Sequence, residues 1–203
     1  MKILFIVITA LYLIAPNYTY ADNKNIIAIQ PLGDVSAPAI SSLQKNIAET
    51  FNADVVVLKP KHLPKYALYE PRNRYRAEKL LIFLNEVKDI KYTKIIGITQ
   101  QDISTSKGYI IDYGIMGYAE LNKPACVIST FRLGYGKVNQ QLFFTRVSKI
   151  AKHELAHTFG LGHCPNQGCL VEDVKGKMST VDKWNGDYCF NCKYKLKKAN
   201  AIY

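Results

Sequence analysis

His153-Glu154-Leu155-Ala156-His157-Thr158-Phe159-Gly160-Leu161-Gly162-His163-Cys164 holds three of the four histidines in a chain of 203 residues; the fourth, His62, lies far upstream. On a helix, residues four apart share a face, so His153 and His157 can converge on one cation with Glu154 beside them. Gly160 can take the positive φ that most residues avoid, which lets the helix stop and the chain bring back His163 as a third nitrogen. Three protein ligands leave one position open, the arrangement of catalytic zinc sites. Glu154 is then placed to accept a proton from an attacking water and to return it to a leaving amine. A bare HExxH occurs on many amphipathic helices. The added Gly160 and His163, in a chain so poor in histidine, set this one apart.

Four of the five cysteines follow directly. Cys164 and Cys169 form C-x4-C, and Cys189 and Cys192 form C-x2-C, a spacing close to that of a four-thiolate zinc site. Two disulfides, with three possible pairings, are the other use of four cysteines in an exported chain. The fifth, Cys126, lies in the apolar run Ala125-Cys126-Val127-Ile128 and reads as a buried thiol.

Together these residues resemble the pattern of the archaemetzincin metallopeptidases, HExxHxxGxxHC-x4-C-x-M-x17-C-x2-C. The match is close over residues 146–192 and looser over the rest of the mature chain. The resemblance implies a zinc metallopeptidase that hydrolyses peptide bonds and carries two zinc ions per chain. One is catalytic, on His153, His157 and His163, with Glu154 as general base. The other is structural, on Cys164, Cys169, Cys189 and Cys192. It also implies an α/β (α+β, metzincin-like) fold: a twisted, mostly parallel sheet with three main helices and a small, irregular, zinc-stapled C-terminal subdomain. One position departs from the pattern. Val171 stands where the family has the methionine of the Met-turn, and it supplies apolar surface without methionine's length or polarisable sulfur. A second reading therefore stands beside the first: an exported zinc-binding protein of the same fold with little or no turnover.

The rest of the chain fits one globular domain. Hydrophobic residues make up 48%, enough for a core, and the net charge of +11 comes from scattered lysines with one cluster at Lys193, Lys195, Lys197 and Lys198. Residues 1–21 read as a secretory signal peptide: Lys2, an apolar run over residues 3–14, Pro16, and Thr19-Tyr20-Ala21 before the cut. That run is shorter than the ~20 residues of a membrane span, so no stable membrane anchor is expected after cleavage. Export, to the periplasm or the medium, also argues against a zinc-ribbon nucleic-acid module built on the basic tail. The expected partner is a peptide or protein substrate, and nothing in the sequence sets an oligomeric state.

The expected division is signal peptide 1–21, metzincin-like domain 22–163 and cysteine-rich subdomain 164–203. Within it, residues 26–29, 55–58 and 95–98 read as strands, the second a short β-branched run typical of a buried strand. Ile40, Leu43, Ile47 and Phe51 recur at helical spacing, and a second helix is expected to open at Arg72-Asn73-Arg74-Tyr75 after a proline-rich loop over residues 59–71. Thr99 closes the third strand and Asp102-Ile103 reads as loop, with no catalytic role assigned. Residues 138–159 read as the longest helix, with Phe143, Val147, Ile150, Ala151 and Leu155 as its apolar stripe. By resemblance, the strand at Gly117 lies antiparallel at the sheet edge above the zinc, where an extended substrate can pair with it. Residues 160–203 are rich in turn formers and carry little periodicity.

Overall fold

The computed structural model describes residues 24–136 and 138–203, and the expected leader, residues 1–21, lies outside them. In chain order the elements are β1 (Asn25–Leu32), α1 (Ala37–Thr50), β2 (Ala53–Val57), β3 (Leu68–Tyr69), β4 (Arg74–Arg76), α2 (Ala77–Val87) and β5 (Lys94–Thr99). There follow β6 (Ile103–Lys107), β7 (Ile110–Ile115), β8 (Gly117–Ala119), β9 (Ala125–Ser129), α3 (Gln140–Thr158), α4 (Met178–Lys183) and α5 (Phe190–Lys198). The main sheet has the order β2-β1-β5-β9-β8; its first three pairings are parallel, and β8 alone runs antiparallel, at the edge. This is the mostly parallel α/β arrangement expected.

Parallel strands need covering on both faces, and the side-chain alternation of a strand supplies both. Ile27, Ile29, Ile96, Ile98 and Ile128 point to one face, where Leu43, Ile47 and Phe51 of the α1 region meet Val147, Ile150 and Leu155 of α3. Ala28, Ile95 and Val127 point to the other, against Leu80, Leu81 and Leu84 of α2. The core on the α3 side continues into the C-terminal segment through Leu170, Val171, Val181, Trp184 and Leu196.

Four expectations are corrected. The run at residues 55–58 is not a buried strand: β2 lies at the edge of the main sheet, with Val56 and Val57 exposed. Arg72-Asn73-Arg74-Tyr75 does not open a helix. Arg72 ends a 3-10 turn, Asn73 is left-handed, and Arg74–Arg76 is a strand whose Tyr75 pairs with Ile103. The cause is tertiary: Arg74 donates to Asp102 (2.7 Å) and to Asp112 (2.8 Å), carboxylates far along the chain. Likewise Ile103 is not loop but the start of β6, which joins β3, β4 and β7 in a second sheet of order β3-β4-β6-β7. Buried Asp102 ties that sheet to the loop after β9 through Arg132. Finally, residues 160–203 contain two short helices, α4 and α5.

Helix α4 is held by buried cations of α3. Arg146 donates to both carboxylate oxygens of Asp182 (2.7 and 2.8 Å) and to the carbonyl of Leu133, while Lys149 Nζ donates to the carbonyl of Val181 (2.9 Å). The hydrogen bonds from Arg146, reinforced by its charge, hold the Asp182 carboxyl below its ordinary range. A depressed carboxylate stabilises the fold fully above its unfolded value of about 3.9, and that contribution is lost as pH falls through the lower folded value. Asp182→Asn should therefore lower stability by about 2–3 kcal/mol at pH 7, because Arg146 stays buried with only carbonyl partners. Urea titrations of both proteins should show the gap closing below about pH 4; a gap that persists there would refute the assignment.

Candidate active site

Helix α3 is capped at its start by Asn139, whose side chain accepts from the Leu142 amide (2.8 Å). Its end is a Schellman turn. The Gly160 amide donates to the carbonyl of His157 (2.9 Å) and the Leu161 amide to that of Ala156 (3.0 Å), with Gly160 at φ +89°. Lys94 Nζ adds a cation at this C-terminal end, donating to the Thr158 carbonyl at 2.6 Å. The turn directs the chain back past the helix and brings His163 to the other two histidines: ring centroids lie 4.6 Å (153–157), 4.9 Å (157–163) and 5.3 Å (153–163) apart. His153 and His157 are buried and His163 is exposed.

The hydrogen bonds of the two buried rings settle their tautomers. His153 Nδ1 meets the Leu170 carbonyl at 2.8 Å and His157 Nδ1 meets the Leu161 carbonyl at 2.6 Å, and a carbonyl only accepts. Burial lowers the His153 pKa to about 3 and lowers that of His157 as well, so both rings are neutral and carry their one proton on Nδ1. Both Nε2 atoms are thus bare, and they face each other at 3.0 Å. Two lone pairs at that distance repel unless a cation lies between them. A tetrahedral metal with bonds of about 2.0–2.1 Å would hold its nitrogens roughly 3.3 Å apart, so the donor set fits.

Glu154 is also buried, and desolvation raises its carboxyl to about 8. It packs against the α-carbon of Gly117 on β8, where an added Cβ would lie 2.5 Å from its Oε1. Only glycine lets β8 and α3 approach this closely. Glu154, Gly117 and the three histidines line one cleft of about 270 Å³, together with Tyr113, Tyr118, Ile150 and Trp184.

The four downstream cysteines converge as well. All are free, and their sulfurs lie within 4.8 Å of one another, with Cys164 and Cys189 at 3.8 Å. A disulfide needs about 2.05 Å. A tetrahedral zinc with Zn–S bonds of about 2.3 Å needs sulfurs roughly 3.8 Å apart, the separation of Cys164 and Cys189, and the whole set lies within about 1 Å of that spacing. Burial opposes ionisation of Cys189, but neighbouring hydrogen bonds outweigh it and bring that thiol to about 6. The backbone amide of Cys189 donates to Cys169 Sγ (3.4 Å). Cys126 lies apart, fully buried in β9, with its pKa raised by desolvation.

The sequence model of Peptidase family M54 matches residues 43–198. The chain belongs to this family. It is 31% identical to the archaemetzincin of Saccharolobus solfataricus over 177 residues, covering 85% of this chain and 93% of that one. The crystal structure of the Methanopyrus kandleri archaemetzincin superposes with a TM-score of 0.74 at 26% identity, covering 87% of this chain and 96% of that one. That of the Archaeoglobus fulgidus archaemetzincin, complexed with malonate, superposes with a TM-score of 0.71 at 31% identity, covering 83% and 98%. The M54 chain is accordingly a zinc metallopeptidase, a hydrolase acting on peptide or protein substrates.

Sequence reasoning placed every histidine and cysteine of these clusters but missed Trp184, whose ring stacks on His153 with centroids 5.1 Å apart and planes 8° from parallel. The one signal was its being the single tryptophan, 21 residues beyond His163. For the turn, Gly160→Ala should destabilise the M54 chain by about 1–3 kcal/mol, since its φ is left-handed and a Cβ would meet Asn122 Oδ1 at 2.2 Å. Gly162→Ala, where a Cβ meets nothing within 4 Å, should change little. Thermal unfolding of the two variants checks the contrast.

Proposed function

We propose that the chain hydrolyses peptide bonds with Glu154 as general base and a catalytic zinc on His153, His157 and His163. The observation that carries this is the seating of Glu154 against Gly117, inside the same cleft as three imidazoles whose bare nitrogens converge. Zinc held there supplies Lewis acidity and lowers the pKa of a water from ~15.7 to about 7. The protein's own residues do the rest. Glu154, beside the histidines and within the cleft, is placed to take a proton from the attacking water and pass it to the leaving amine. Desolvation raises its carboxyl to about 8 in the metal-free protein, and the charge of a bound zinc would favour its ionised form. Strand β8, with a sheet partner on one side only among the described residues, offers backbone groups that can orient an extended peptide across the cleft.

A second zinc, on Cys164, Cys169, Cys189 and Cys192, completes a count of two per chain. It makes residues 164–203 a metal-stapled subdomain docked on the domain of residues 22–163. Because Cys164 adjoins His163, the structural zinc also steadies the third catalytic ligand. The reading extends to export: residues 1–21 act as a cleaved leader, placing the mature enzyme outside the cytoplasm. Among the described residues no helix is long and apolar enough to cross a membrane. Nucleic acid is not a partner in this reading.

The experiment is cleavage of a diverse peptide library by the mature chain and by its Glu154→Gln and Gly117→Ala variants. The first variant keeps the ligands and removes the base, and the second pushes the carboxylate out of place. Each should lower kcat/KM by about 10²–10⁴-fold with zinc content unchanged. Equal turnover by all three would exclude Glu154 as base. Zinc bound without turnover in the unmodified chain would favour the binding-protein reading. Metal analysis should give two zinc ions per chain, and denaturation with chelator should release four thiols beyond Cys126. One zinc, or one thiol in all, would assign the cysteines to disulfides.

A further inference from the structure

A single hydrogen bond from Nδ1 to the Leu170 carbonyl fixes the edge of the His153 ring but leaves it free to tilt about that bond. Face contact is what removes this freedom. Val171, at the methionine position of the family pattern, is fully buried in the core on the α3 side. The flat surface against His153 belongs to Trp184, parallel to within 8° and at a centroid distance inside the range of offset stacking. Trp184 is itself immobile: it is 3% exposed and sits at the C-terminal end of α4, its amide donating to the carbonyls of Thr180 and Val181. Helix α4 is in turn clamped to α3 by Arg146 and Lys149, two turns and one turn before His153 respectively. The clamp and the stacked ring thus form a closed circuit that starts and ends on α3.

A further detail separates two roles for this residue. The indole Nε1–H is buried without a hydrogen-bond partner among the described residues, an unfavourable arrangement that phenylalanine would avoid. Either the broad indole face is needed for stacking, or the N–H is held for a carbonyl of bound substrate.

We propose that Trp184 is a positioning residue: its indole face is the floor that holds His153 in ligating orientation, the task that methionine at position 171 would otherwise serve. The inference rests on His153 being a zinc ligand, as proposed above. Outer partners of a ligand set commonly change metal affinity 10–100-fold when removed. Trp184→Leu should therefore weaken zinc binding at the histidines about 10–100-fold in chelator competition and leave the thiolate zinc in place. Trp184→Phe, which keeps a ring face, should stay within about threefold of the unmodified chain.

Cobalt substitution gives a readout that loss of packing alone would not move. The visible d–d bands of cobalt at the nitrogen site should shift in the leucine variant, while the thiolate-to-cobalt charge-transfer band stays unchanged. Because the chain has a single tryptophan, zinc titration of the unmodified protein also reports directly on this contact. Its emission should change as the histidine site fills, and a His157→Ala chain should lack that change. Unaltered emission at saturation, or a leucine variant that binds zinc as tightly as the unmodified chain, overturns the floor. Normal zinc affinity in both variants, with KM raised in Trp184→Phe as much as in Trp184→Leu, overturns it in favour of the N–H as a substrate donor. Failure of the earlier reading looks different: His153→Ala would then bind as much zinc as the unmodified chain.

Discussion

Two imidazole nitrogens without protons, 3.0 Å apart in a buried site, are an electrostatic problem that the rest of the architecture sustains. In water the rings would turn away from each other or take up protons. Here each is pinned by a backbone carbonyl from outside the helix, Leu170 for one and Leu161 for the other, and burial denies both the second proton. Those carbonyls depend on the Schellman turn at Gly160 and on the segment bracketed by the cysteines. The pair of nitrogens is therefore kept in repulsive proximity by structure on both sides of it, and a shared cation relieves that repulsion.

The same helix has to satisfy a second demand. One side of α3, through Val147, Ala151 and Leu155, belongs to the core under the parallel sheet, and the neighbouring side carries Arg146, Lys149, His153 and Glu154, all buried. Buried charge is tolerable only when paired. Arg146 and Lys149 meet this condition by gripping α4, whereas Glu154 lies against the bare backbone of Gly117 and desolvation raises its carboxyl to about 8. Polar groups that would weaken an ordinary core helix thus bind the C-terminal segment to the domain, with the site at the seam.

What was legible in the sequence followed from local chemistry. The histidine spacing, the glycine that ends the helix and the cysteine pairs each act within a few residues, so their pattern survives in one dimension. The alternation of Ile27, Ala28 and Ile29, or of Ile95, Ile96 and Ile98, likewise signals strands covered on both faces. What was hidden depends on distant partners. Arg74 lies in a strand because Asp102 and Asp112, 28 and 38 residues away, hold its guanidinium. Helix α4 is six residues long and owes its place to cations on α3, and Trp184 reaches the site only through it. No periodicity within those segments could reveal either.

The depth of α3 has a consequence for an enzyme that cuts polypeptides. A peptidase is exposed to its own activity, and a susceptible segment must first open and extend to enter a neighbour's cleft. Residues 146–158 are almost entirely buried in the central helix, so freeing them requires loss of the whole core rather than a local opening. The helix that carries the histidines is thereby among the last parts of the chain to open, and its resistance to cleavage follows the stability of the whole fold rather than a local fluctuation.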